Sequence, residues 1–157
     1  MDITPRINTA SLSADGYKGF VAVERYLHQC GLEGNLIHMV KLRVSQMNGC
    51  AFCIDMHWKD ARALGESELR LYGLDAWEES PYYSDRERAA FRWAEALTHL
   101  HPGHVSDEVY QAVKPHFSEK ELSDLTMLVA VINAWNRIAI SSRTVPGKYQ
   151  SAKVAAH

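Results

Sequence analysis

The sequence predicts an all-α protein, and three observations carry that expectation. Apolar residues recur at helical rather than alternating spacing, two S-x-x-E capping boxes stand where amphipathic runs begin, and Gly or Asn-Gly closes several of the runs. Residues 1–15 are polar and rich in turn formers, and read as an amino-terminal arm ordered only by packing on something else. From Tyr17 the pattern turns helical: Phe20, Val21, Val23, Tyr26 and Leu27 make one stripe, and Gly31 supplies a left-handed stop after Cys30. A second helix fits Gly34 to Met47 and ends at Asn48-Gly49, and a third runs from there to Leu64, with Gly65 just past its end. SELRLYG gives a short helical turn before a loop around Pro81. The box Ser84–Glu87 then opens an amphipathic run that breaks at HLHPGHVS, and a short helix follows from Ser106 to about Lys114. The second box, Ser118–Glu121, opens the last helix, Glu119 to about Ser141, which is too long to be the strand that its Val-rich centre alone would suggest.

A chain of 157 residues with 46% apolar and 23% charged content fits one compact domain, 1–157. Seventeen basic residues against nineteen acidic ones leave a formal charge of −2, so no bulk field favours nucleic acid or an anionic membrane. No basic segment joined to an apolar run opens the sequence, and no stretch approaches the roughly 20 apolar residues of a bilayer span. A cytoplasmic protein without a membrane partner is the expectation. The apolar length of Leu122 to Ile140 suggests surface covered by a second subunit, hence self-association.

The chemistry concentrates in Asn48 to Asp60, NGCAFCIDMHWKD. Three cysteines, Cys30, Cys50 and Cys53, are too few and too odd in number for a disulfide scaffold, so a close pair in a reducing compartment points to redox work or metal binding. At about 100° per residue, Cys50, Cys53 and His57 fall within about 60° of one another on a helix. The Asn48-Gly49 break puts Cys50 at a helix start, where free N–H groups favour a thiolate, while His57 stands one turn from Cys53 and within reach of its proton. Two core hydrophobes and a bystander histidine would explain a lone cysteine better than they explain this spacing.

The segment Leu36 to Glu66, with N-G-C-x-x-C-x-x-x-H inside it, resembles the core of the alkylhydroperoxidase AhpD-like proteins of the carboxymuconolactone decarboxylase superfamily. The resemblance implies an all-α helical bundle assembled as a trimer or hexamer, with a thiol-dependent hydroperoxide-reducing or disulfide-reducing activity. It implies further that Cys53 is oxidised to a sulfenic acid, that Cys50 resolves it, and that His57 serves a proton relay. Helix-terminus electrostatics alone would favour Cys50 as the more acidic thiol; the histidine spacing and the family pattern both favour Cys53. The chain also departs from the family: where well-known members carry a glutamate twelve residues before the first motif cysteine, it has His38. A second imidazole cannot add negative charge to the relay, so weaker or pH-shifted peroxidase activity, or plain thiol–disulfide exchange, follows as an expectation. Without the resemblance His38 reads as a surface residue, since Lys41 and Ser45 share its helical face.

Other readings compete. His38, Cys50, Cys53 and His57 together offer the sulfur and nitrogen donors of a zinc-binding module. A decarboxylase-like enzyme without redox chemistry is a second alternative. His99, His101 and His104 read as a solvated break, Cys30 as a small buried residue, and Trp93, Trp135, Phe91 and Met127 as core or subunit contacts. Trp58 could wall the site, whereas Asp55, Lys59 and Asp60 read as solvent-facing. No nucleotide-binding loop or nucleophile elbow appears, so no cofactor is expected, and a lipoyl or thioredoxin-like dithiol must supply the electrons.

Overall fold

The computed structural model describes residues 3–100 and 104–152, and among them there are helices and no strands. Helices α1 (Thr9–Leu12), α2 (Ala14–Leu27), α3 (Gly34–Asn48), α4 (Ala51–Ala63), α5 (Glu68–Gly73), α6 (Asp85–Thr98), α7 (Asp107–Val113) and α8 (Glu119–Ser142) follow one another, with 3₁₀ turns at Leu74–Ala76 and Lys114–His116. Both predicted capping boxes form: the Ser84 and Ser118 side chains accept from the N–H groups of Glu87 and Glu121, whose carboxylates return the bond. Gly49, at φ 69°, closes α3 in the left-handed conformation that only a residue without Cβ enters cheaply. That turn folds α4 back against α3.

Helix α3 is the hub. Leu36, Ile37, Met39, Val40, Leu42 and Val44 are buried on several sides of it because α4, α6 and α8 all pack against it. Helix α8 lays Leu122, Leu125, Leu128, Val129 and Ile132 into the same core. By length and composition α8 would suit a bilayer, contrary to the reading of the sequence, yet here it is a core helix that also buries Asp124 and Asn136. Polar ties fix its register on α3: Asn48 donates to the side-chain oxygens of Asn133 and Asn136 at 3.0 and 2.9 Å, and Asn136 donates to Ser45 Oγ at 3.0 Å. Arg43 of α3 pairs with Glu95 of α6 at 2.7 Å.

The arm is more ordered than its composition suggests. Asn8 caps the short α1, and α2 begins at Ala14, three residues before the expected start. Arg6 N–H donates to Ser142 O at 3.0 Å, and the hydroxyls of Thr9 and Ser142 stand 3.3 Å apart, so the arm docks on the end of α8. Of the histidine-rich break, His101 lies outside the described residues. Met127 is largely exposed on α8, while Phe91 and Trp93 are core; Cys30 is half-buried and its thiol donates to Leu27 O.

Candidate active site

Cys50 is the N-cap of α4, with extended backbone, and Cys53 sits in the first helical turn. Their Cα atoms are 5.4 Å apart and their sulfurs are joined as a disulfide, a separation within the ordinary range for such bonds. Each residue is only 1% exposed to bulk solvent, but neither is sealed off. Cys53 lines a cavity of about 980 Å³ together with His57, and Cys50 lines a second cavity of about 490 Å³. The two cysteine side chains meet, as the helical wheel expects, although Cys50 stands outside the helix proper and the two residues border different cavities.

Three imidazoles run away from the dithiol. His57 and His38 have ring centroids 5.7 Å apart, and the ring of His28, the C-cap of α2, lies 6.0 Å from that of His38. His38 is buried, 8% exposed, and not the surface residue its neighbours suggested. The wheel argument assumes that a helix keeps one face in water, and α3 is packed on all sides. Lys41, on the same face, is buried as the ion-pair partner of Glu24, which also accepts from Trp135 Nε1 at 2.9 Å.

Asp60 was misread in the same way. Its side chain is 14% exposed, and its Oδ2 lies 3.8 Å from His38 Nδ1 and 3.9 Å from His57 Nδ1. The i,i+3 spacing from His57 was a legible signal for it. No such signal marked Tyr149, whose O–H donates to Asp60 Oδ1 at 2.7 Å from a position 89 residues further along the chain. Glu24 and His28 also line the cavity unannounced, while Trp58 packs against the core instead of walling it.

The electrostatics follow from burial. Burial holds His57 well below its ordinary pKa, and the nearby positive Lys41 and the other two histidines push the same way. Burial likewise lowers His38 to about 4, against the opposing pull of Asp60. Both rings are thus neutral near pH 7. Among the described residues His38 Nδ1 and both ring nitrogens of His57 have no hydrogen-bond partner, so the one unprotonated nitrogen of the neutral His57 ring is not engaged.

A consequence for folding can be measured. Between pH 6.5 and about 4 the unfolded chain binds a proton at His38 that the folded protein refuses, and the buried His57 acts in the same direction, so stability falls as the pH drops through that window. Urea unfolding at several pH values should show this slope in the native protein and a shallower one after His38→Gln and His57→Gln together. An unchanged slope would mean that the rings are not buried neutral.

The four-ligand zinc set is not assembled. Both sulfurs are committed to the disulfide, and the donor group that converges among the described residues is His38, His57 and Asp60, with atoms within 4.8 Å of one another. Tetrahedral zinc, with bonds of about 2.0–2.1 Å, draws its ligand atoms to about 3.4 Å apart. As it stands, the trio is too open to grip an ion.

The model of the carboxymuconolactone decarboxylase family matches residues 14–96, slightly more than half of the chain. The uncharacterized protein YdfG of Bacillus subtilis (strain 168) is 41% identical over 139 residues, covering 88% of this chain and 95% of that protein. A solved structure from Agrobacterium tumefaciens, a protein of unknown function proposed to be an antioxidant defence protein AhpD, superposes with a TM-score of 0.88 at 39% identity, over 93% of this chain and all of that one. An alkylhydroperoxidase AhpD core from Ralstonia eutropha JMP134, an uncharacterized peroxidase-related protein, gives 0.78 at 20% identity over 89% of this chain and 75% of its own, and so shows a common fold only.

Proposed function

Because the chain belongs to the carboxymuconolactone decarboxylase family and has the AhpD-like fold, we propose that it is a thiol-dependent peroxidase that turns over through the Cys50–Cys53 pair. The observation that carries this reading is Cys53, in disulfide contact with Cys50 and lining a large cavity beside a neutral, buried imidazole. In the reduced protein His57 takes the Cys53 proton, and the thiolate attacks the terminal oxygen of a hydroperoxide. The O–O bond breaks, the hydroxyl oxygen stays on sulfur as a sulfenic acid, and the alkoxide leaves with the proton that His57 returns. A ring that resists holding a proton is a good donor at that moment. Cys50 then attacks the sulfenic sulfur, forms the disulfide and expels water. A dithiol of lipoyl or thioredoxin-like type restores both thiols by exchange.

The cavity walls suit an apolar hydroperoxide, since Phe52, Met56, Leu64, Trp135 and Ile138 line it. His38 stands where well-known members of the family carry glutamate and serves as the next proton station beyond His57. Self-association belongs to the same reading, supported by the exposure of Met127 and Ile140 on α8.

A free-thiol count tests the whole cycle. One equivalent of an organic hydroperoxide should remove two thiols per reduced chain, the loss should survive denaturation, and a dithiol should reverse it. No loss of thiols, or the loss of one, would overturn the proposal.

A further inference from the structure

After α8 the chain reverses at Arg143, whose φ of 53° is left-handed, and Thr144 N–H bonds back to Ala139 O at 3.0 Å. Residues 144–152 then lie along α4. Gly147 N–H donates to Asp55 Oδ2 at 3.1 Å, Lys59 Nζ donates to the carbonyls of Gly147 and Tyr149 at 3.4 and 3.0 Å, and Tyr149 O–H donates to Asp60 Oδ1. Thr144, Val145, Tyr149, Ser151 and Ala152 form part of the cavity wall. This segment thus reaches the dithiol site through one polar contact, the phenol on Asp60.

A carboxylate has two oxygens, and the phenol occupies one of them. The other, Oδ2, is then turned toward His38 Nδ1 and His57 Nδ1 together, at 3.8 and 3.9 Å. We infer that Tyr149 is a positioning residue: by holding Asp60 it aims that carboxylate between the two imidazoles, so that the docked carboxy-terminal segment sets how readily His57 accepts the Cys53 proton. The inference rests on the peroxidase reading for its meaning but not for its measurement. The charge it invokes is well placed. Glu24 of α2, His28 at its C-cap, His38 and Lys41 of α3, and His57 of α4 face the same space; Lys41 and the neighbouring imidazoles disfavour a charged His57 ring, and the Asp60 carboxylate, 3.8 and 3.9 Å from the two Nδ1 atoms, is a negative charge set against them. Desolvation and the bond to Asp60 raise the Tyr149 phenol to about 12, so it remains a donor throughout the working range.

The test uses the reduced Cys50→Ser protein, in which Cys53 is the motif's single thiol, and follows its alkylation by iodoacetamide against pH, with mass spectrometry to separate it from Cys30. Adding Tyr149→Phe keeps the ring and removes one hydroxyl. The expected result is about a tenfold slower reaction at pH 7 with the profile displaced to higher pH, as for loss of one charge-assisted hydrogen bond. Asp60→Asn should shift the profile in the same direction, and Tyr149→Phe should add little to it. A Tyr149→Phe profile that superposes on the parent, or a uniform loss at every pH that tracks a lowered melting temperature, would overturn the inference. Alkylation needs no peroxide, so a protein inert to hydroperoxide would sink the peroxidase reading and leave the Tyr149 result readable by itself.

Discussion

Cys53→Ser is expected to bring hydroperoxide consumption down to the uncatalysed rate, a loss of at least about a thousandfold, because a hydroxyl near neutral pH offers no equivalent of a thiolate. Cys50→Ser should behave differently. With no sulfur left to displace water, Cys53 stalls as a sulfenic acid after one turnover, and a dimedone-type trap should label it stoichiometrically. Peptide mapping of the two variants checks the order of events: adduct at Cys53 in Cys50→Ser, and little adduct at Cys50 in Cys53→Ser. The positions of the two sulfurs agree with this order. Cys53 shares its cavity with the imidazoles, whereas Cys50, at the N-cap of α4, lines a second cavity whose described lining residues include no imidazole or carboxylate. Labelling at Cys50 instead would reverse the assignment.

His57→Gln is the second large effect. Glutamine keeps most of the buried volume and cannot shuttle a proton, so the rate at pH 7 should fall by about 10²- to 10⁴-fold. The deficit should shrink as the pH rises past about 8.5, where an unassisted thiol ionises by itself. Stopped-flow rates with an organic hydroperoxide from pH 6 to 10 read both. The sign follows from the electrostatics of the site: burial and Lys41 keep the ring neutral, so in the native protein the unprotonated form needed of a base persists into mildly acid pH. A variant as fast as the parent at pH 7 would remove His57 from the reaction and leave helix-terminus electrostatics as the activator.

The helices were legible because their signals are local. Both capping boxes, the glycine stops at Gly49 and Gly65, and the C-x-x-C-x-x-x-H spacing each depend on residues within a turn or two of one another, and the observed boundaries of α3, α4 and α8 fall within a residue or two of those expected, whereas α2 ends at Leu27, short of the stop expected at Gly31. What failed depended on where polar residues face. His38, Lys41 and Ser45 make a polar stripe that belongs to water on an isolated helix, yet α3 is the hub of the bundle and buries it, with Glu24 from α2 as counter-ion. Asp60 reads as one more charge on α4 until Tyr149 arrives to cover it, and no local rule brings position 149 to position 60. Cys50 meets Cys53 as the spacing suggests, though from the N-cap of α4 and not from within the helix.

Pro5 to Ala10 at one end of the described chain and Thr144 to Ala152 at the other both border the Cys53 cavity. A bulky label attached within either segment would therefore stand at the cavity wall, and would perturb access without altering any reacting atom. The exposed loop between the 3₁₀ turn at Leu74–Ala76 and α6, around Glu78 and Glu79, does not line that cavity. A fluorescent label introduced there would report on the fold and leave the entrance untouched.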